Sequence, residues 1–429
     1  MERNLKSEKA VTLITLVVTI IVLLILAGIT IGNLTSDKGV IKEAKTAKEQ
    51  TEMKGVEEQI ELAIIKAEQK HRNPTIDDVI QEMKNAQVIS DGDTQVNRIT
   101  GEIRSDLGYV IKGKLDNYIE SKVINAKRNG TVFTSNTKIT DTYGNTITIP
   151  EGFKIASDSA NDVTGGVVIE DVNHTATAGS QFVWIPVGTV YTNVNKTESK
   201  TINLNRYTFA GDGTPTAQGT NTIDTYYQEL ATSTSGNATA KDIEAFKAST
   251  SAEKAGGYYI GRYEASIGTQ RTAETDNSGL GQVTVKGNEY VYNYVTQLQA
   301  STLSRNMYSS TNFESDLINS YAWDTAIVFI QEFSGDTDYA RQIFYQATLA
   351  KTGEATDGTN KDVRCNIYDM AGNTSEWSTE TFGNSGGQAC VDRGGTYTAS
   401  AGGMACERAD GSSFVSVASI SFRPILYVK

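Results

Sequence analysis

The chain has 429 residues, 38% hydrophobic and 21% charged, with 38 Gly and only 5 Pro. That length admits two or three folded units built with many turns. With 39 Lys and Arg against 51 Asp and Glu the net charge is −12, which excludes the counterion release that drives binding to DNA or RNA, so nucleic acid is not an expected partner. His71 and His174 are the only histidines, too few for a histidine-rich metal centre. The cysteines, Cys365, Cys390 and Cys406, form no C-x-x-C pair, and no G-x-x-x-x-G-K-[ST] loop occurs, against zinc-ribbon, thioredoxin-like and P-loop chemistry.

Ala10 to Ser36 carries no charged side chain, and Val11 to Ile31 is almost wholly Val, Ile, Leu and Thr. About 20 such residues span a bilayer as a helix. Arg3, Lys6 and Lys9 precede the run, which keeps the N-terminus cytoplasmic and the rest of the chain outside. Lys9-Ala10 followed by Val11-Thr12-Leu13-Ile14 resembles the start of type IV pilin-like proteins of Gram-positive bacteria. The resemblance implies leader cleavage after Ala10 and a pilus-like assembly, although Thr15 stands where filament-forming pilins carry glutamate.

The helical pattern continues from Lys38 to Lys70, with Val56, Ile60, Ala63, Ile64 and Ala67 as an apolar stripe and Pro74 beyond its end. Asp77 to Lys84 reads as a short helix and Leu107 to Ile111 as a strand. The first 125 residues thus divide into a leader and transmembrane helix (1–36) and a helical stalk or small pilin-like module (37–125).

From 126 to 429 short apolar runs alternate with Gly, Asn, Asp and Thr. Thr146–Pro150, Gly166–Glu170, Gln181–Val187, Gly257–Tyr263 and Ile425–Val428 read as strands. Residues 190–240 read as an exposed polar insertion, and Lys241–Lys247 and Asp316–Phe333 as helices. Helices do not alternate with strands, so the expectation is one α+β head. Trp184, Trp323 and Trp377 are its natural anchors, and Glu264, Glu376, Arg393 and Arg423 a charge network that fixes its loops.

Phe182-Val-Trp-Ile-Pro186, Gly257-Tyr-Tyr-Ile-Gly-Arg-Tyr-Glu264, Ser320-Tyr-Ala-Trp-Asp324, Gly372-Asn-Thr-Ser-Glu-Trp377, Arg393-Gly-Gly395 and Ser421-Phe-Arg423 follow one another in an order that resembles the formylglycine-generating enzyme (sulfatase-modifying factor) family. The resemblance implies a C-type lectin-like head behind a long N-terminal transmembrane and stalk helix. The catalytic members bind copper(I) through two cysteines after a Gly-Gly-Ser-Tyr stretch. Here the matching positions hold Ala399 and Met404, with Cys406 alone beyond them. Without the soft thiolates that Cu(I) prefers, neither copper nor oxidase activity is expected. The family's calcium site maps onto Asp369, Gly372, Thr374 and Glu376, whose oxygens suit a structural Ca²⁺; the alternative is a charged turn satisfied by Arg393 or water.

Residues 378–419 are small and polar, with aromatics at Phe382, Tyr397 and Phe414 between fixed motifs, and loops on a rigid frame are where binding residues concentrate. The arrangement, closed by Ile420–Lys429, is similar to the variable proteins of diversity-generating retroelements. The resemblance implies a ligand-binding set of Ser378, Glu380, Phe382, Asn384, Asp392, Tyr397, Ala399, Met404, Cys406, Glu407, Asp410 and Phe414. Cys390 and Cys406 are either a disulfide or two unpaired side chains. The expected protein is a non-catalytic, single-pass receptor or adhesin whose extracellular head takes an unknown protein, peptide or glycan. Its rivals are a minor pilin-like filament subunit and a copper-dependent formylglycine-generating oxidase.

Overall fold

The computed structural model describes residues 18–23, 40–71, 74, 76–98, 100–115, 118, 122–193, 196–223, 226–232, 236–355, 359–383, 389–398 and 403–429. Residues 18–23 are helical; the rest of the expected membrane segment, with Ala10 and Thr15, lies outside the described residues. No helix among the described residues is long and apolar enough to cross a membrane. The chain divides into two compact units, Met1–Ile119 and Glu120–Lys429.

In the first unit, helix α1 (Val40–Lys70) runs for 31 residues. Its 3–4-residue stripe works as the spacing requires: Val56, Ile60, Ala63 and Ala67 are buried and Ile64 packs partly against them. The opposing surface is Ile76, Val79, Ile80 and Met83 of α2 (Ile76–Asn85), with Val88, Ile89, Ile103, Ile111 and Leu115 closing the core. The helix buries this stripe in a core within its own unit. Only Val110–Ile111 of the expected strand pairs, with Ile103–Arg104; Leu107 and Gly108 make the hairpin turn, Gly108 at φ +84°.

The second unit is α+β. Its main strands are β1 (Phe153–Ile155), β2 (Val168–Asp171), β3 (Gln181–Pro186), β4 (Gly257–Gly261), β5 (Phe313–Leu317), β6 (Ser375–Trp377), β7 (Ala389–Arg393), β8 (Arg408–Ser412), β9 (Ile420–Phe422) and β10 (Pro424–Val428). Six form an antiparallel sheet in the order β5-β10-β4-β3-β2-β1. Phe182, Val183, Trp184 and Ile185 of β3 are all fully buried, so this strand is a continuous apolar run with core on both faces and not an alternating one. A Cβ at Gly257 would lie 2.3 Å from the Ile185 carbonyl oxygen, and Trp184 pairs with Tyr259 beside it.

Four helices pack around the sheets: the short Lys122–Asn129, whose Val123 and Ala126 enter the core, α3 (Ile243–Thr250), α4 (Gln297–Met307) and α5 (Ser320–Phe333). Helix α5 is buried over nearly its whole surface, which suits an apolar core helix. It starts later than the expected Asp316. Phe313–Leu317 pairs instead with β10, and the Asn319 side chain caps the helix by accepting from the Ala322 amide. Helix α4 was not anticipated, although Thr296 and Gln299 form a reciprocal capping box that the sequence spells out. The 190–240 tract contains short paired strands, Tyr207–Phe209 with Pro215–Ala217 and Thr222–Ile223 with Tyr227–Gln228, and is therefore not a plain loop.

A second sheet runs β8-β7-β6-β9. Its β9 lies parallel to β6, and one residue later the chain enters β10 of the main sheet. Arg423 occupies that crossing point, so the last ten residues tie both sheets together.

Candidate functional site

At the second sheet lies an ionic frame that is buried except at Arg408, which is partly exposed. Arg393 of β7 faces Arg408 of β8 directly across the ladder, a like-charge pair that repels unless carboxylates sit between the guanidinium groups. They do. Arg393 donates to Asp324 Oδ1 at 2.5 Å and to Glu380 Oε2 at 3.1 Å. Arg408 donates to Glu380 Oε1 at 2.9 Å and also to Asp324. Arg206 completes the cluster on Glu380. Burial alone would raise the Glu380 pKa, but Arg408, Arg206 and Arg393 outweigh it and hold the carboxyl down to about 2. Trp323, one residue before Asp324, donates its indole N–H to the Ala405 carbonyl at 2.9 Å.

A second buried cluster surrounds Arg423, which donates to Glu376 Oε1 at 2.6 Å and Oε2 at 2.9 Å. Its other bonds go to the carbonyls of Gly261 and Tyr368. Glu264 accepts from Asn373 Nδ2 at 2.8 Å and from the Thr374 amide at 3.1 Å. Burial and the nearby Glu376 charge push its pKa up to about 8. Asp369 is pushed up as well, by burial first and then by Glu264 and Asp362. The three tryptophans and the network of Glu264, Glu376, Arg393 and Arg423 are thus scaffold, all with side chains out of contact with water.

The expected calcium ligands are only partly committed to protein partners, and Asp369 Oδ1 is buried with no hydrogen-bond partner among the described residues. Both Glu376 oxygens are engaged by Arg423, and Thr374 donates to Glu264 and shares a 2.7 Å bond with Ser421. Asp369 gives one oxygen to the Gly353 amide, and the Gly372 stretch bridges to Phe344. No group of three or more His, Cys, Asp or Glu among the described residues is arranged to hold a metal.

The twelve expected ligand residues separate. Ser378, Glu380, Asp392 and Cys406 are buried and so do not belong to a binding surface. Ser378 bonds to the Val391 carbonyl and accepts from Gln297, Glu380 is the hub of the frame, and Asp392 has its pKa pushed up to about 6 by burial. Cys406 lies against Arg341. Asn384 and Ala399 lie outside the described residues. Tyr397, Met404 and Glu407 are half-buried between the Gly394–Gly395 turn and β8, with Tyr397 donating its amide to the Asn373 carbonyl and Glu407 to that of Met404. Phe414 is 69% exposed. All three cysteines are free thiols, so Cys390 and Cys406 form no disulfide.

Phe382 and Asp410 come together, and with them two residues that were missed. Phe382 lies in the strand Thr381–Phe382, which pairs with Tyr227–Gln228. Tyr226 is 41% exposed, with its ring centroid 5.6 Å from Phe382 and 5.0 Å from Tyr227. Its hydroxyl donates to Asp410 Oδ2 at 2.6 Å, and that of Tyr227 to Oδ1 at 3.2 Å. The result is an aromatic face around one exposed carboxylate, directly above Arg206, Glu380 and Arg408. The Tyr226-Tyr227 pair inside a Thr- and Asn-rich tract was the available signal.

No family model matches the sequence, and no curated protein matches it. Among solved structures, the chain is similar to CarF, with 15% identity over 40% of this chain and 87% of that one and a TM-score of 0.29. It is also similar to Treponema denticola variable protein 1, with 12% identity over 57% of this chain and 95% of that one and a TM-score of 0.27. Overlaps this low carry no weight for the function of this chain.

Proposed function

We propose that Glu120–Lys429 is a non-catalytic, lectin-like ligand-binding head of the retroelement-diversified kind, displayed outside a bacterial cell behind the apolar segment 11–31. The observation that carries the reading is the aromatic face of Tyr226, Tyr227 and Phe382, partly exposed on a frame with every carboxylate paired. Rigid aromatic side chains supply contact area at small entropic cost, and a locked frame removes the ordering penalty on binding.

The thiols support binding over turnover. Burial pushes both Cys365 and Cys390 up to about 12 and raises Cys406, whereas nucleophilic or copper-holding sulfur must be thiolate. The full-length chain in detergent should be panned against peptide and glycan libraries while oxygen uptake is followed with Cu(I) and a cysteine peptide. Captured ligands are expected to be lost on combined Tyr226→Ala and Phe382→Ala substitution with the unfolding midpoint unchanged. Copper-dependent oxygen consumption would overturn the reading.

A further inference from the structure

The same face has a chemical preference. Asp410 is exposed, and both its oxygens are held toward the tyrosine edge by phenolic hydroxyls at 2.6 and 3.2 Å. The charge stays on the surface: the cations nearby, Arg206, Arg393 and Arg408, are consumed by Glu380 and Asp324 in the layer beneath. Asp410 raises the pKa of Tyr226, first through its hydrogen bond, and Glu407 and Asp410 add to the burial that raises Asp392; the Arg408 guanidinium lies 5.9 Å from the centre of the Tyr227 ring. The rings of Tyr227, Tyr226 and Phe382 follow one another at centroid separations of 5.0 and 5.6 Å, and the two tyrosines of that row reach the carboxylate through their hydroxyls.

A carboxylate flanked by aromatic rings is the chemistry that receives an alkylammonium or guanidinium: the carboxylate supplies charge and the ring quadrupoles supply the walls. We propose that the Tyr226–Tyr227–Phe382–Asp410 face binds a cationic side chain, that of a lysine- or arginine-bearing peptide segment on a protein partner. This rests on the binding-head reading and deepens it. A glycan without basic groups and an acidic peptide are both disfavoured, the second by direct repulsion from Asp410, Glu407 and the net charge of −12.

The test is fluorescence anisotropy of the full-length chain at physiological salt with three labelled Gly-Ser peptides carrying two lysines, two trimethyllysines or two glutamates. Saturable binding is expected for the lysine and trimethyllysine peptides and none for the glutamate peptide. Asp410→Asn and Tyr226→Ala should each weaken it at least ten-fold. Glu198→Gln, which makes the same change in net charge at an exposed position away from the face, should leave it unchanged. Equal weakening by Glu198→Gln, failure of both cationic peptides, or tighter binding of the glutamate peptide would each overturn the proposal. A glutamate peptide lost on Tyr226→Ala would do so while leaving the binding-head reading standing. Failure of the library panning above is the result that would remove that reading.

Discussion

Glu380 accepts from Arg408 at 2.9 Å and from Arg393 at 3.1 Å, and so holds together two strands whose facing residues are both cations. Removing the negative charge leaves Arg393 and Arg408 with Asp324 as their bridging carboxylate and Arg206 with the carbonyls of Asn221 and Tyr227. Breaking a buried charge pair from one side costs about 3–5 kcal/mol. Glu380→Gln is therefore expected to destabilise the head by about that amount in urea unfolding. A loss under 1 kcal/mol, the size of an exposed pair, would mean the frame is not what fixes this hairpin.

Glu264 makes stability depend on pH. Its folded pKa of about 8 lies above its ordinary 4.5, so between those values the unfolded chain has released a proton that the folded chain keeps. Stability then falls as pH rises from roughly 4.5 to 8 and levels off above. Glu264→Gln is expected to flatten that slope in unfolding midpoints measured between pH 5 and 8. An unchanged slope would contradict the assignment.

His174 acts in the same direction for a different reason. Its Nδ1 lies 2.8 Å from Asp171 Oδ1, which raises its pKa, with Glu151 adding to the effect against partial burial. Phe153, Tyr308 and Phe313 enclose the ring. The imidazolium stabilises the fold fully below about 6.5 and loses that contribution as pH rises through the raised folded value. Asp171, lowered by its bonds to His174, Thr177 and Tyr308 despite burial, contributes at neutral pH and loses its part only in acid. NMR titration of the His174 ring should give a midpoint above 6.5, and Asp171→Asn should bring it down.

The thiols give a simpler readout. With Cys390 and Cys406 buried and Cys365 half-buried, the native protein is expected to react slowly with an aromatic disulfide reagent, and the unfolded protein to yield three thiols without reductant. Recovery of a single thiol from the unfolded, unreduced chain would show a disulfide.

Much of the scaffold was legible because its markers are rare or periodic. Trp184, Trp323 and Trp377 sit inside the quoted motifs, and the Val56–Ala67 stripe needs only a helical repeat to be seen. Glu380 was not legible: its guanidinium partners lie 13, 28 and 174 residues away, and an isolated Glu in a polar stretch looks like surface. The pairing of Glu376 with Arg423 was legible as part of the charge network, although spacing alone also offered its oxygens to an ion. Tyr226 and Tyr227 were hidden by their polar surroundings, and Phe313–Leu317 by its continuity with α5, since its true partner β10 is the end of the chain.

The central claim, a variable contact surface on an invariant ionic frame, is tested most directly by sequencing this head in sibling strains. Substitutions between 378 and 419 are expected at Phe382, Tyr397, Met404, Glu407, Asp410 and Phe414, with Ser378, Glu380, Asp392, Arg393 and Arg408 unchanged. Replacements spread evenly over the head, or reaching Glu380 and Arg393 as often as Phe414, would contradict it.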